Sequence, residues 1–422
     1  MSASRILLRR LFDAALAEVQ GQRSTEAALV ALGPVPGPCF LVGAGKAASA
    51  MALGAQRSLG SALQGGLVVT KDGHALFPRG ISVREASHPL PDQRGVRAAR
   101  ETLATIAALP AEMTLLVLLS GGASALWVAP APGIDLEHKV DVTRLLLRAG
   151  VGIEALNTVR KHLSSIKGGG LARAAAGRRV VTLLISDVAS DRLDTIASGP
   201  TAPDPTSFAE ALDILLGACP RSAWPTPVLD RLGAGVRGEI ADTPGSDAAC
   251  FRNVEHRVIA NLDQALAAVA ATARDLGLTS QLMPRGLDGH ARARGREFAA
   301  QIRNSASPEL LIAGGESVVR VVGSGRGGRA QEAALAFALA VDGDPGVTGL
   351  FAGTDGSDGP TAATGAIVDG STARRAREAG LDPKAALRNN DSHTLLASTR
   401  DLLRTGPTQT NVSDLALLLR TR

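Results

Sequence analysis

The strongest constraint in this 422-residue chain is a recurrent alternation. Short Val/Leu/Ile runs end in Gly, Ser or Asp turns, and Ala/Arg-rich stretches of helical period follow them. That is the pattern of α/β units with parallel strands. Strands are expected at Cys39 to Val42, Gly66 to Thr70, Thr114 to Leu119 and Val180 to Ile185. The segment from Cys219 to Pro244, with Pro220, Pro225, Pro227 and several glycines, breaks the series and reads as a connection. A second α/β series then runs through His256 to Ala260, Thr279 to Met283, Glu309 to Ala313, a hairpin strand at Val318 to Val322, and Val347 to Ala352. At roughly 150 residues per domain the length fits two domains, placed at 1–240 and 241–422. There is no fixed-period repeat and no heptad pattern.

Composition excludes several function classes. With no tyrosine and ten Phe and Trp residues in all, an aromatic platform for single-stranded nucleic acid is ruled out. The formal charge of +5 is spread among 40 interleaved acidic residues, which suits small anionic ligands rather than a polyanion. Cys39, Cys219 and Cys250 are isolated thiols without a C-x-x-C pair, so neither a disulfide framework nor a thiolate zinc site is expected, and a reducing cytoplasm fits. No apolar run approaches the roughly 18 residues of a membrane span. The segment up to Val19 carries Arg5, Arg9 and Arg10, but also Asp13 and Glu18, and reads as an amphipathic helix rather than a transit peptide. Only six of the 45 basic residues are lysines, and four of these, Lys46, Lys71, Lys161 and Lys167, fall in or beside the turns described next.

In open α/β sheets chemistry collects at the carboxyl ends of strands. After the first strand comes Gly43-Ala-Gly45-Lys46, where glycines let the backbone approach a ligand and a lysine adds charge for phosphate or carboxylate. It is neither a Walker A loop nor a full dinucleotide fingerprint, since Ala47 follows Lys46 and Ala48 replaces the third glycine. Taken alone it is equally a tight turn with a solvated lysine. After the third strand, Ser120-Gly121-Gly122-Ala123-Ser124 offers two hydroxyls and an anion nest, without the final glycine of a serine-hydrolase elbow; a plain helix cap by Ser124 is the bland alternative. In Asn157 to Gly170 a helix would align Arg160, Ser164 and Lys167 at i, i+4 and i+7, as a binding stripe or a solvated face. Ser186-Asp187, ending a strand, suits Mg²⁺ binding, proton acceptance or simple turn capping. The second series carries Gly314-Gly315-Glu316, the glycine-cradled Arg326 and Arg329, and Asp355 to Asp358. Cations, glycine nests and strand-end carboxylates together, without a nucleophilic cysteine or a Ser-His elbow, suit phosphoryl transfer.

These residues resemble the class II glycerate 2-kinases, the MOFRL family. The resemblance covers nearly the whole chain, through Val42 to Ala48, Ala86-Ser-His88-Pro-Leu-Pro-Asp92, Leu119 to Ala125, Asn157 to Gly169, Ser186-Asp187, Ile196 to Thr201, Gly314 to Glu316, Gly325 to Glu332, Ala352 to Thr361, Asn389 to Ser392 and Gly406 to Asn411. It implies two α/β domains, Rossmann-like then a smaller MOFRL domain, with the site in the cleft between them. It also implies ATP- and Mg²⁺-dependent phosphorylation of D-glycerate at its 2-hydroxyl, giving 2-phosphoglycerate and ADP. From charge, cysteines and hydropathy a cytoplasmic protein that engages neither nucleic acid nor membrane is expected, as a monomer or homodimer. By the same carry-over Lys46 and Arg329 are the catalytic cations and the Ser120 loop and the Asn157 to Lys167 segment line the cleft. Ala123, Arg326, Ala330 and Gln409 depart from the family pattern, which favours Gly, Lys, Asn and Gly there.

The expected site therefore comprises catalytic Lys46, Asp187 and Arg329, with Asp187 also as the metal ligand or proton acceptor. Substrate and nucleotide fall to Gly43, Gly45, Ser120, Gly121, Gly122, Ser124, Asn157, Arg160, Lys167, Gly315, Glu316, Arg326 and Asp355. An NAD(P)H-dependent hydroxypyruvate reductase is the alternative, with Asp72 as the ribose partner; a non-catalytic sugar-phosphate sensor is a third reading.

Overall fold

The computed structural model describes residues 2–175, 177–283, 286–305 and 309–421. The chain forms two compact units, one of residues 21–259 and one joining residues 1–20 to 260–422. This differs from the expected division at 240/241. The connection after Cys219 stays with the first unit, and helix Ala3–Glu18 packs through Leu8, Leu11, Phe12 and Ala15 with the second.

Unit 21–259 is built on six strands: β1 (Cys39–Ala44), β2 (Leu63–Lys71), β3 (Ile81–Ala86), β4 (Thr114–Leu119), β5 (Val180–Ile185) and β6 (Val254–Ala260), in the order β3-β2-β1-β4-β5-β6. From β3 to β5 every neighbouring pair is parallel. This is the doubly wound order, which reverses between β1 and β4; a ligand binds beyond the strand ends at that reversal. Strands β4 and β5 are apolar and buried at nearly every position, because helices cover both faces of a parallel sheet. Asp92 sets the start of helix Gln93–Ala108 by accepting from the amides of Arg94 and Gly95 at 3.0 and 3.1 Å.

The second unit carries β7 (Ser280–Leu282), β8 (Gly289–His290), β9 (Glu309–Gly315), β10 (Ser317–Val318), β11 (Val347–Gly353), β12 (Gly365–Asp369), β13 (Leu402–Leu403) and β14 (Asp414–Arg420). Six of them form a mixed sheet, β13-β12-β11-β14-β9-β7, antiparallel except for β7 with β9. Its core includes Phe298, Phe337 and Phe351. The expected hairpin at Val318 to Val322 does not form. Only Ser317–Val318 is a strand, it pairs in parallel with β8, and Val321 and Val322 stand exposed. No described helix is long and apolar enough to cross a membrane.

Candidate active site

The β1 turn and the β4 turn meet at the strand-order reversal. Gly45 adopts φ +133°, and a Cβ there would lie 2.1 Å from Ser120 Oγ, so only glycine lets the two turns touch. The Lys46 amide donates to Gly121 O at 2.9 Å and the Ala47 amide to Ser120 Oγ at 3.0 Å. A Cβ on Gly43 would lie 2.6 Å from Leu118 O, which ties the strands together just below. Ser120 is fully buried, and its hydroxyl fixes the Lys46 turn by accepting the Ala47 amide. Gly122, at φ +88°, has the Lys46 stem and the His88 ring on its open side.

Cations gather beside this turn. The helix expected through Lys167 spans Ile153–His162 and stops, because Lys161 and His162 are drawn inward and the chain turns at Leu163 to form a bridge from Ser164 to Pro130. Arg160 and Lys167 nevertheless converge: both donate to Ser124 O, at 3.3 and 2.8 Å, and Arg160 also reaches Asn157 Oδ1 at 3.3 Å. The Ser124 hydroxyl lies 2.7 Å from that of Ser198. Ala197, Ser198 and Gly199 take successive left-handed φ values of +55°, +61° and +62°, a strained run of the kind held at functional sites.

Lys139 completes a trio with Arg160 and Lys167. It is buried, donates to Leu163 O at 2.8 Å and Arg160 O at 3.3 Å, and so caps the end of helix Ile153–His162. Burial, then the charges of Arg160 and Arg231, push its ammonium down to about 7. Burial, then Arg160 and Lys139, hold Lys167 well below the usual lysine range. Among the described residues no carboxylate ion-pairs with any of the three. Lys161, by contrast, pairs with Asp204 at 3.2 Å and Asp194 at 3.5 Å. Lys161 is thereby a structural lysine, whereas Lys139, Arg160 and Lys167 form a cationic cluster suited to an anionic ligand.

Asp187 is half-buried just past β5, the neighbour of β4, and so at the same edge of the sheet. Asp72 is held in a bidentate pair with Arg94, at 2.6 and 2.8 Å, and is not set as a ribose acceptor.

The second unit builds its own cluster. Arg329 opens helix Arg329–Ala340 and makes a bidentate pair with Asp414, at 2.5 and 2.9 Å, while its remaining nitrogen donates to the exposed Glu316 next to Gly315. Asp358 caps the same helix, accepting from the amides of Ala330 (3.1 Å) and Gln331 (2.8 Å) and from Gln331 Nε2 (2.9 Å). Burial, then the Asp414 charge, raise its carboxyl to about 6 against those bonds. The glycine-rich loop before Arg329 rests on Asn389 to Asp391: Asn390 Oδ1 accepts from Val322 and Gly323, Asn389 Oδ1 from Ser324, and Asp391 Oδ1 from the amide of Arg326. The Arg326 side chain is exposed. Asp355 is buried and turns back on Ser357, whose amide it accepts at 2.8 Å. Gln409 has φ +63°, the backbone conformation that the glycine of the family pattern would relieve.

Sequence reasoning omitted four of these residues from the site. Asp414 begins a plain apolar strand, Lys139 lies in an unremarkable helix, and Ser198 and His88 stand at no spacing that marks a role.

Two family models match, a domain of unknown function (DUF4147) over residues 7–233 and the MOFRL family over residues 309–414. The D-glycerate 2-kinase of Thermotoga maritima is 41% identical, covering 90% of this chain and 89% of that protein. A protein of Agrobacterium vitis with the provisional name hydroxypyruvate reductase is 39% identical, covering 99% and 94%. The crystal structure of a glycerate kinase from Thermotoga maritima superposes with a TM-score of 0.87 at 38% identity, over 99% of this chain and 100% of that one. This chain belongs to the glycerate 2-kinase family whose carboxyl-terminal portion is the MOFRL domain.

Proposed function

We propose that this chain transfers the γ-phosphoryl group of ATP to the 2-hydroxyl of D-glycerate, producing 2-phosphoglycerate and ADP. The observation that carries the reading is a cationic cluster in which Arg160 and Lys167 converge on Ser124 O beside the buried Lys139, none of the three ion-paired with a carboxylate among the described residues. A small carboxylate is an anionic ligand that suits such a cluster. The names of the relatives supply the candidate, glycerate.

In this reading Arg160, Lys167 and the Ser124 hydroxyl hold the glycerate carboxylate, with Asn157 steadying Arg160. Lys46, fixed by Gly45, Ser120 and Gly121, neutralises the transferring phosphoryl group. Arg329, aimed by Asp414, supplies the second cation, and Gly315, Glu316, Arg326 and Asp355 border the nucleotide. Among the described residues no three Asp, Glu, His or Cys side chains converge into a metal cage. This donor set fits a magnesium ion, which in phosphoryl transfer takes one or two carboxylates and is otherwise held by phosphate oxygens. Asp187 is the carboxylate at the right edge of the sheet to hold it. The ion would offset charge on the phosphate oxygens.

The test is incubation with D-glycerate, ATP and Mg²⁺, with ADP release measured and the product identified by phosphorus NMR. ADP and 2-phosphoglycerate are expected. NADH oxidation by hydroxypyruvate with no ADP formation would sink the kinase reading in favour of the reductase.

A further inference from the structure

We propose that His88 is the general base of the phosphoryl transfer, accepting the substrate hydroxyl proton on its imidazole Nε2; this rests on the kinase reading above. His88 follows β3, an outer strand of the sheet, yet its ring lies beside Gly122 after β4. The loop it sits in must therefore cross the ends of β2 and β1, and it is tethered at its far end. Asp92 caps helix Gln93–Ala108 and also holds Arg94 at 2.7 Å, and Arg94 grips Asp72 in the turn after β2.

The landing point is narrow. A Cβ on Gly122 would lie 3.1 Å from His88 Cδ2, 3.3 Å from His88 Nε2 and 3.3 Å from Lys46 Cγ. Nε2 and the Lys46 stem are thus at most 6.6 Å apart, since each lies 3.3 Å from one point. A substrate bound at this turn would meet the two side chains together. The open side of Gly122 is occupied by an imidazole and an alkylammonium stem, the pairing that a proton acceptor beside a phosphoryl-binding cation requires.

Two carboxylates of neighbouring segments have structural partners. Asp72 is committed to Arg94, and Glu85 accepts the Gly73 amide at 2.7 Å. Asp187 is left to the metal role. As the 2-hydroxyl oxygen bonds to the γ-phosphorus, its proton passes to Nε2. The electron pair of the breaking P–O bond leaves on ADP, and the imidazolium then returns its proton to solvent. One proton is released per turnover.

The test is a pH profile of kcat/KM for glycerate between pH 5.5 and 9, for the wild type, His88→Gln and His88→Ala, with ATP affinity measured by calorimetry. The wild type is expected to lose activity tenfold per pH unit on the acid side. His88→Gln should lower kcat by about 10²-fold or more, keep ATP affinity within about threefold and abolish the acid limb; added imidazole should partly restore His88→Ala. A His88→Gln enzyme with wild-type kcat or an unchanged acid limb overturns the assignment. So does a wild type that turns over without an acid limb, which needs no folded variant. Absence of glycerate-dependent ADP formation by the wild type at every pH would overturn the kinase reading itself along with it.

Discussion

Lys139 gives a stability test that depends on no assumption about substrate. Its ammonium is pushed from 10.5 down to about 7 by burial and by the Arg160 and Arg231 charges. Between those values the unfolded chain binds a proton that the folded chain has released, so stability rises with pH across the window. It is lowest below 7, where the folded protein must keep a buried charge. At 1.36 kcal/mol per pH unit, the climb from pH 7 to pH 9 is worth about 2.5 kcal/mol. Lys139→Met keeps the length of the side chain and removes the titration. It also deletes the bonds to Leu163 O and Arg160 O, which costs about 1–3 kcal/mol independently of pH. Both tryptophans, Trp127 and Trp224, lie in the unit of residues 21–259, so fluorescence during urea unfolding reports on the unit that holds Lys139. The wild type should gain about 2.5 kcal/mol on the mutant between pH 7 and pH 9. A difference that stays flat across that range would refute the claim that Lys139 is buried among cations without a counterion.

Two further expectations concern single residues. Asp358 is raised from 3.8 to about 6, so the folded chain holds its proton more tightly and stability falls as pH rises from 4 to 6, by about 2 kcal/mol. Calorimetric melting of Asp358→Asn against the wild type should show the mutant gaining by that amount over the window, and parallel curves would contradict it. Lys46→Arg should cut kcat at least about tenfold while leaving the fold intact, because a planar, delocalised guanidinium does not present its charge as the compact ammonium does. Wild-type kinetics in that variant would dispose of the role given to Lys46.

The first sheet was legible because its strands end in glycine and serine turns that punctuate an apolar series. Thr114–Leu119 and Val180–Ile185 carry the expected bounds. What escaped has physical causes. Ile81–Ala86 is an edge strand whose Arg84 and Glu85 break the apolar signal. Asp414–Arg420 is an unbroken apolar run in the middle of a sheet, where no alternation separates a strand from a buried helix segment. The Arg160 and Lys167 pairing was expected from helical spacing but is made by a turn after the helix. Roles that depend on what lies across space, such as Asp414 aiming Arg329 or Lys139 capping its helix, leave no mark at any fixed spacing.

The division of the chain has a consequence for synthesis. Helix Ala3–Glu18 emerges first, yet the strands it packs on, β11 and β14, begin at Val347 and Asp414. At 5–20 residues per second the helix waits on the order of 20–80 s for its last partner. Meanwhile residues 21–259 are complete and free to fold. Helix Leu262–Asp275, its other partner, also follows that unit, so until then Leu8, Leu11, Phe12 and Ala15 form an apolar stripe without cover. The stripe is thus made well before the last of its cover, and in that interval it is open to a chaperone.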